Sequence, residues 1–187
     1  MIANRAMASD MTDTGMNHQY DMRMRPNRLY GLILIGIAAT TSAESLSSRS
    51  PFIPDPYRTP GAINHYVTQE NISRTICVSG WTATVRPSTS FTNRLKAKQI
   101  RELDLPGIAK DYEEDHLVPL CVGGHPTDDR NLWPEPRTGQ WAAKFKDQLE
   151  ASVCRAVCRG AMTLEQGRAV FLQPDWTKEY EKFFNLK

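Results

Sequence analysis

The stretch that decides the fold is Asp111-Tyr-Glu-Glu-Asp-His-Leu-Val-Pro-Leu120, in which an acidic run leads directly into an apolar one. Four carboxyl side chains and His116 fall within its first six residues. Carboxylates packed so closely repel one another unless a positive charge binds among them. A hard divalent cation such as Mg²⁺ is the natural partner, because it takes carboxylate oxygens and keeps water and phosphate in its shell. The sequence therefore predicts a cation site, with Asp115 as its first ligand.

Downstream, the chain carries the signals of a small hairpin. The apolar run 117–122 predicts a strand, and Gly123-Gly124 favours a turn that reverses a strand. Asn131-Leu-Trp-Pro134 then follows. Because neighbouring strand residues point to opposite faces, Asp115 and His116 share a face only where the strand is twisted or irregular.

These segments together resemble the core of HNH endonucleases, a ββα fold of two strands and a helix around one metal ion. The resemblance rests on Glu114-Asp-His-Leu-Val-Pro-Leu120, Gly123-Gly124 and Asn131-Leu-Trp-Pro134, and it covers residues 111–150. A group of exported bacterial HNH-like proteins has similar flanks, here Thr75-Ile-Cys-Val-Ser-Gly-Trp-Thr82, Val85-Arg-Pro87 and Lys146-Asp-Gln-Leu-Glu150.

The resemblance implies a metal-dependent endonuclease that hydrolyses the phosphodiester bonds of DNA or RNA. His116 would be the general base that deprotonates water, a task suited to the near-neutral pKa of imidazole. Asp115 would hold the metal ion, and Asn131 would hydrogen-bond across the loop to orient His116. The expected cofactor is one divalent ion, Mg²⁺ first, with Mn²⁺ and Zn²⁺ as alternatives.

The helix ligand that completes the metal site is where this chain departs from the family pattern. The pattern has a His or Asn on the following helix, and this chain offers Gln140, Ala142 and Ala143. Gln140 can ligate through its carbonyl oxygen, whereas Asp147 and Glu150 are better ligands by chemistry, with Asp147 ranked first. Three cations are candidates to hold substrate phosphates, namely Arg86, Arg137 and Lys146.

Two hypotheses of different functional class stay open on the sequence: the nuclease, and a non-catalytic descendant that keeps the fold as a binding or structural module. A helix carboxylate or Gln140 beside Asp115 favours the enzyme. An apolar lining of that space by Ala142 and Ala143 favours the module. An Asp–His pair alone is usually a surface pair and Asn131 alone a turn residue, so only their joint occurrence supports the nuclease.

The first 43 residues have the order of a secretory signal, with arginines before the apolar run 29–39 and small residues after it. We expect cleavage after Ala43, and translation that begins at Met22 or Met24. The run is shorter than the ~20 residues that span a bilayer. The expectation is a secreted or periplasmic protein without a membrane span, and the alternative is an uncleaved inner-membrane anchor.

The chain beyond the signal has a length typical of one domain. Residues 44–66 are rich in Ser and Pro and predict an extended lead-in, and residues 67–187 form the HNH-like domain. The whole chain has a formal net charge of +2 at pH 7, so it has no global basic field and any nucleic-acid contact must be local. The main local basic patch lies on the predicted helix 94–103 and comprises Lys96, Lys98 and Arg101.

The overall pattern predicts an α+β fold with additional N-terminal strands and C-terminal helices. β-branched residues in 75–81 and 82–86 predict strands broken at Gly80. Apolar residues at intervals of four from Trp141 to Val157 predict a long helix.

Three short signals bound the predicted C-terminal helices. Gly160 is expected to end the long helix. Thr163 and Asp175 are then expected to cap two further helices. Trp133, in the Asn131-Leu-Trp-Pro134 segment, is expected in the core.

Four cysteines form an even set in a chain that reads as exported, which favours disulfides over zinc ligation. Only Cys154 and Cys158 have a spacing that suits a zinc site. Three disulfide connectivities are open, one of which joins Cys77 to Cys158 and ties the first strand to the last helical region.

Overall fold

The computed structural model describes residues 50–186. The chain divides into two units, Met1–Ala43 and Glu44–Lys187, and every described residue belongs to the second. The predicted signal segment 1–43, its cleavage point and the candidate start codons therefore lie outside the described residues.

Within residues 50–186 the fold is α+β, with five α-helices and one antiparallel sheet of two strands. The elements are α1 (Trp81–Val85), α2 (Thr89–Glu102), β1 (Tyr112–His116), β2 (Leu132–Pro136), α3 (Ala143–Cys158), α4 (Leu164–Phe171) and α5 (Trp176–Phe183). This agrees with the predicted fold class and with its C-terminal helices. Strand, strand and helix follow in that order from β1 to α3.

The acidic run itself is the first strand. In the register between β1 and β2, Glu113 pairs with Glu135 and Asp115 pairs with Trp133. Because directly paired residues of antiparallel strands share a face, these four side chains lie on one side of the sheet. Trp133 is only 4% exposed, which confirms it as a core residue.

The prediction of a strand over 117–122 was wrong. The apolar run leaves β1, bends at Leu117 and Val118 and, after Pro119, forms a 3₁₀ turn at Leu120–Val122, which Gly123 ends with a φ of 77°. Its residues Leu117, Val118, Leu120 and Val122 are buried nonetheless, so the run belongs to the core although it is not a strand. A short apolar run does not reveal its backbone conformation, and a proline inside it argues against a strand.

The predicted N-terminal strands over 75–81 and 82–86 were also wrong. Residues 75–80 form turns and Trp81–Val85 is the short helix α1. Gly80, at a φ of 81°, is the residue from which this helix starts. The β-branched composition had no partner strand to pair with, and tertiary packing overrode it.

The helix signals were more reliable. The helix predicted over 94–103 exists as α2 and begins earlier, because Ser88 caps it by accepting from the backbone N–H of Phe91. Thr163 caps α4 and Asp175 caps α5, both through side-chain hydrogen bonds, as predicted. The long helix is α3, and Gly160 follows its end with a φ of 75°.

Two disulfides join all four cysteines, Cys77 to Cys158 and Cys121 to Cys154. The first is the pairing singled out above, and zinc ligation by these residues is excluded. Both bonds end on α3, so they fix this helix to the α1 region and to the loop after β1. Disulfides are typical of proteins in oxidising compartments.

No helix among residues 50–186 is long and apolar enough to cross a membrane.

The main core lies along α3. Its Leu149, Val153 and Val157 are fully buried and pack with Val118 and Val122 of the apolar run. The residues of the predicted lead-in that the structure describes, 50–66, follow an irregular path but are hydrogen-bonded to the domain through contacts such as Gly61 N–H to the Arg130 carbonyl at 2.9 Å. This packing holds the end of β1 against α3.

Candidate functional site

Three carboxyl groups converge on the face of the sheet described above. Glu113, Asp115 and Glu135 each offer an oxygen, and these oxygens lie within 4.8 Å of one another. Two of them come from β1 and the third from β2, so the antiparallel register brings them together. The arrangement has the donor type and spacing that a hard divalent cation takes.

Glu135 is the member of this cluster with the least ordinary environment. Its side chain is 1% exposed, and within residues 50–186 no N–H or hydroxyl group donates to its carboxyl oxygens; its hydrogen-bonding neighbour is the Asp115 carboxyl group, to which only a protonated Glu135 can donate. Burial, followed by the charge of Asp115, raises the pKa of Glu135 well above its usual range. A buried carboxyl group without donors is unfavourable unless a cation or a proton compensates it. Glu135 therefore holds a proton unless a cation binds beside it.

Helix α3 supplies one buried cation to the cluster. The Lys146 side chain is fully buried, and its ammonium donates to Asp115 Oδ2 at 2.5 Å, to the His116 carbonyl oxygen at 2.8 Å and to Glu150. All three ammonium hydrogens thus have acceptors. Burial alone would lower the pKa of Lys146, but Asp115 and Glu150 raise it above its ordinary value. Lys146 stays protonated and ties α3 to the end of β1.

The same ammonium governs the carboxyl groups that it contacts. Burial alone would raise the pKa of Asp115, but Lys146 outweighs it and lowers that pKa. Burial raises the pKa of Glu150 to about 7 against the opposing effect of Lys146. Partial burial and the charge of Asp115 also raise the pKa of Asp147, which lies exposed on α3. Lys146 therefore stabilises the ionised form of Asp115 more than that of Glu150.

His116 stands at the end of β1 with its ring held by one hydrogen bond. Its Nε2 lies 3.0 Å from the carbonyl oxygen of Pro126. A carbonyl only accepts, so Nε2 carries the proton and the neutral ring keeps its lone pair on Nδ1. Burial lowers the pKa of His116, the cations of Arg86 and Lys146 add to this, and the Pro126 carbonyl and Asp115 oppose it. Nδ1 has no hydrogen-bond partner within residues 50–186, and a neutral imidazole with this lone pair available is the form that accepts a proton.

Asn131 acts on the loop rather than on His116 directly. Its Oδ1 accepts from the Val118 N–H at 2.8 Å, and its Nδ2 donates to the carbonyl oxygens of Val118 and His125, both at 3.0 Å. The predicted bond from Asn131 to His116 is therefore absent among the described residues, because both amide hydrogens are used elsewhere. Asn131 fixes residue 125, next to Pro126, whose carbonyl holds the His116 ring.

Gly124 is required for this clamp. A Cβ at Gly124 would overlap the Val118 carbonyl oxygen and would lie 2.8 Å from Asn131 Nδ2. The Gly123-Gly124 pair thus allows two loop segments to approach closely, rather than reversing a strand as the sequence suggested.

The candidate phosphate ligands have different positions. Arg137 is 51% exposed and pairs with Glu113 at 2.7 Å, and exposed Arg86 is close enough to influence His116 and Asp147. Both are at the edge of the cluster. Lys146 is buried and fully bonded, so its prediction as a phosphate ligand is corrected.

Gln140 and the predicted basic patch are the remaining candidates from the sequence. Gln140 lies exposed in the loop before α3. In the predicted basic patch, the ammonium of half-buried Lys96 donates to the Tyr112 carbonyl and Lys98 pairs with Glu102. The patch is therefore less free than the sequence suggested.

The sequence analysis missed Glu135 and gave Glu113 no role of its own. A signal for both existed, because a hairpin that pairs the acidic run with Asn131-Leu-Trp-Pro134 places Glu113 opposite Glu135. The assumption that 117–122 formed the first strand hid this register.

The donor set fits a divalent ion: three carboxylates with converging oxygens, one of them buried without an N–H or hydroxyl donor within residues 50–186. No family model, curated protein or solved structure matches the chain.

Proposed function

We propose that the protein is an exported, metal-dependent endonuclease of the HNH type that hydrolyses phosphodiester bonds of DNA or RNA. One observation carries the proposal: the neutral His116 ring, fixed through Nε2, ends the same strand that contributes Asp115 to a cluster of three converging carboxyl groups. His116 directly follows Asp115 on β1, and neighbouring side chains leave opposite faces of a strand, so cleavage requires the end of β1 to bring the ring and the cation to the same phosphate.

Glu113, Asp115 and Glu135 would hold the divalent ion, with Mg²⁺ as the expected species and Mn²⁺ or Zn²⁺ as alternatives. When bound, the ion supplies positive charge that stabilises the transition-state phosphate and the leaving oxygen. Asp147 and Gln140 stay as predicted further ligands, and Asp147 interacts electrostatically with Asp115 and Glu113.

The chain's own residues account for the proton transfer and the substrate contacts. His116 Nδ1 accepts a proton from water, the resulting hydroxide oxygen bonds to phosphorus, and the bond from phosphorus to the leaving oxygen breaks; the leaving oxygen keeps the electron pair and takes a proton from solvent water. Arg86 and Arg137, at the edge of the cluster, are suited to bind the flanking phosphates. Arg137 also donates to the Tyr112 carbonyl, which fixes its position on β1.

The alternative, a non-catalytic binding module, predicts an apolar space beside Asp115. Ala142 and Ala143 are buried, but the groups that contact or interact with Asp115 include Lys146, Glu135 and Glu150. This charged lining supports the enzyme. The two disulfides support the proposed export to the periplasm or the exterior.

A matched pair of variants tests the metal centre. Glu135→Gln removes a carboxyl group that a metal ion would deprotonate and bind, and it should raise the Mg²⁺ concentration needed for half-maximal cleavage by at least about tenfold, as the loss of groups at metal sites commonly does. Glu114→Gln is the control, because the Glu114 carboxyl oxygens are also buried without an N–H or hydroxyl donor within residues 50–186, but the side chain lies on the opposite strand face. Burial raises the pKa of Glu114 to about 8, so a neutral amide is a close replacement there.

Plasmid cleavage at graded Mg²⁺ concentrations measures both variants beside the wild type. Equal Mg²⁺ dependence of the Glu135→Gln variant and the wild type would reject Glu135 as a metal ligand.

A further inference from the structure

Helix α3, the helix on which the resemblance calls for a metal ligand, delivers an ammonium group to the acidic cluster. The Lys146 ammonium contacts Asp115 and Glu150, and the Lys146 side chain is fully buried. It is thus a cation that the chain carries permanently beside a candidate cation site.

The charges around the site do not balance. Five carboxyl groups interact with one another there, and they are Glu113, Asp115, Glu135, Asp147 and Glu150. Two cations form ion pairs with them, Lys146 and Arg137. When a divalent ion binds and displaces the protons, five carboxylates against these two cations leave three negative charges, which the ion reduces to one. Without Lys146, the excess would be large enough for two such ions.

We propose that Lys146 is an internal counter-ion that limits how many divalent ions the cluster takes and how tightly it holds them. Lys146 occupies the side of the cluster formed by Asp115 Oδ2 and Glu150. The divalent ion is thereby restricted to the side where the Glu113 and Glu135 oxygens approach Asp115. This inference rests on the metal centre proposed above.

Removal of the ammonium charge should strengthen cation binding. Lys146→Met keeps an unbranched side chain of similar length and leaves Asp115 and Glu150 free to ligate. A unit charge at contact distance changes electrostatic energies strongly in a partly buried site. We expect Mn²⁺ to bind at least about tenfold more tightly, or a second Mn²⁺ to bind, in this variant.

The test is isothermal titration of the purified full protein with Mn²⁺, with folding checked by near-ultraviolet circular dichroism. Loss of one partner from a buried ion pair is destabilising. A second comparison therefore uses Glu150→Gln as the parent and adds Lys146→Met to it, which removes one charge of each sign. The added substitution should again tighten Mn²⁺ binding at least about tenfold.

The outcomes separate this inference from the proposed function. Tighter or additional Mn²⁺ binding on loss of Lys146 supports the counter-ion. Unchanged or weaker binding by the folded variants overturns it while the metal centre stands. If the wild type binds no Mn²⁺ and the Lys146→Met variant binds one ion, the counter-ion is supported and the metal-dependent function is contradicted. Absence of binding in every folded variant overturns both.

Discussion

Replacement of His116 with alanine is expected to reduce phosphodiester cleavage by about 10²–10⁴-fold, the usual contribution of a positioned general base. The reason is geometric, because Nε2 is held by the Pro126 carbonyl and Nδ1 is left as the proton acceptor. Burial lowers the pKa of His116, so the ring is already neutral at neutral pH and the variant loses an active base. Initial rates of plasmid nicking measure the effect.

His65→Ala is the matched control, since His65 is an exposed histidine of the same domain. This control should keep the wild-type rate. Thermal melting of both variants separates loss of activity from loss of fold. A folded His116→Ala protein that cleaves at the wild-type rate would remove His116 from the mechanism.

Replacement of Asn131 with alanine is expected to lower the free energy of unfolding by about 3 kcal/mol or more, since each buried polar group left unpaired costs about 1–3 kcal/mol. Asn131 is fully buried, and its amide satisfies the N–H and carbonyl of Val118 and the carbonyl of His125. Because this loop leads to Pro126, cleavage should fall as well. Urea denaturation with the disulfides intact measures the stability.

Two further substitutions test whether the loss of stability comes from the hydrogen bonds of the Asn131 amide. Asn131→Asp keeps the acceptor for the Val118 N–H but loses both donated bonds, so it should also destabilise. Asn93→Ala removes an exposed asparagine from α2 and should change stability by less than about 0.5 kcal/mol. Similar stability of the Asn131→Ala and Asn93→Ala proteins would show that the clamp does not hold the loop.

Features that depend on local sequence could be predicted, and the C-terminal helices are the clearest example. Apolar spacing marked α3, and the capping residues Thr163 and Asp175 marked the starts of α4 and α5. A cap is a contact between residues a few positions apart, so its signal survives without knowledge of the tertiary fold. The α+β class followed from the same evidence.

Strand assignment failed because it depends on partners. The run Tyr112–His116 is a strand although three of its five residues are acidic, which is unfavourable for a strand by composition. The acidic strand forms because β2 pairs with it and because Lys146 of α3 forms an ion pair with Asp115. The apolar run 117–122 looked like the better strand, yet it packs against α3 as a loop.

In the candidate site too, residues within a local motif could be predicted, whereas residues brought in by long-range packing could not. Asp115, His116 and Asn131 could be chosen from a compact motif, whose activity stays a prediction. Glu135 could be assigned to the site only from the register of the two strands. The position of Lys146 could be seen only from the packing of α3. Residues brought together by long-range packing leave no spacing signal in the chain.

The measurement that tests the central claim most directly is incubation of the purified protein, with both disulfides intact, with plasmid DNA and with RNA. Each is assayed in Mg²⁺, in Mn²⁺ and in EDTA. The proposed function predicts cleavage of at least one nucleic acid with metal, its loss in EDTA and its return when excess metal is added. A folded protein that cleaves neither substrate with either metal would contradict the account and favour a non-catalytic binding module.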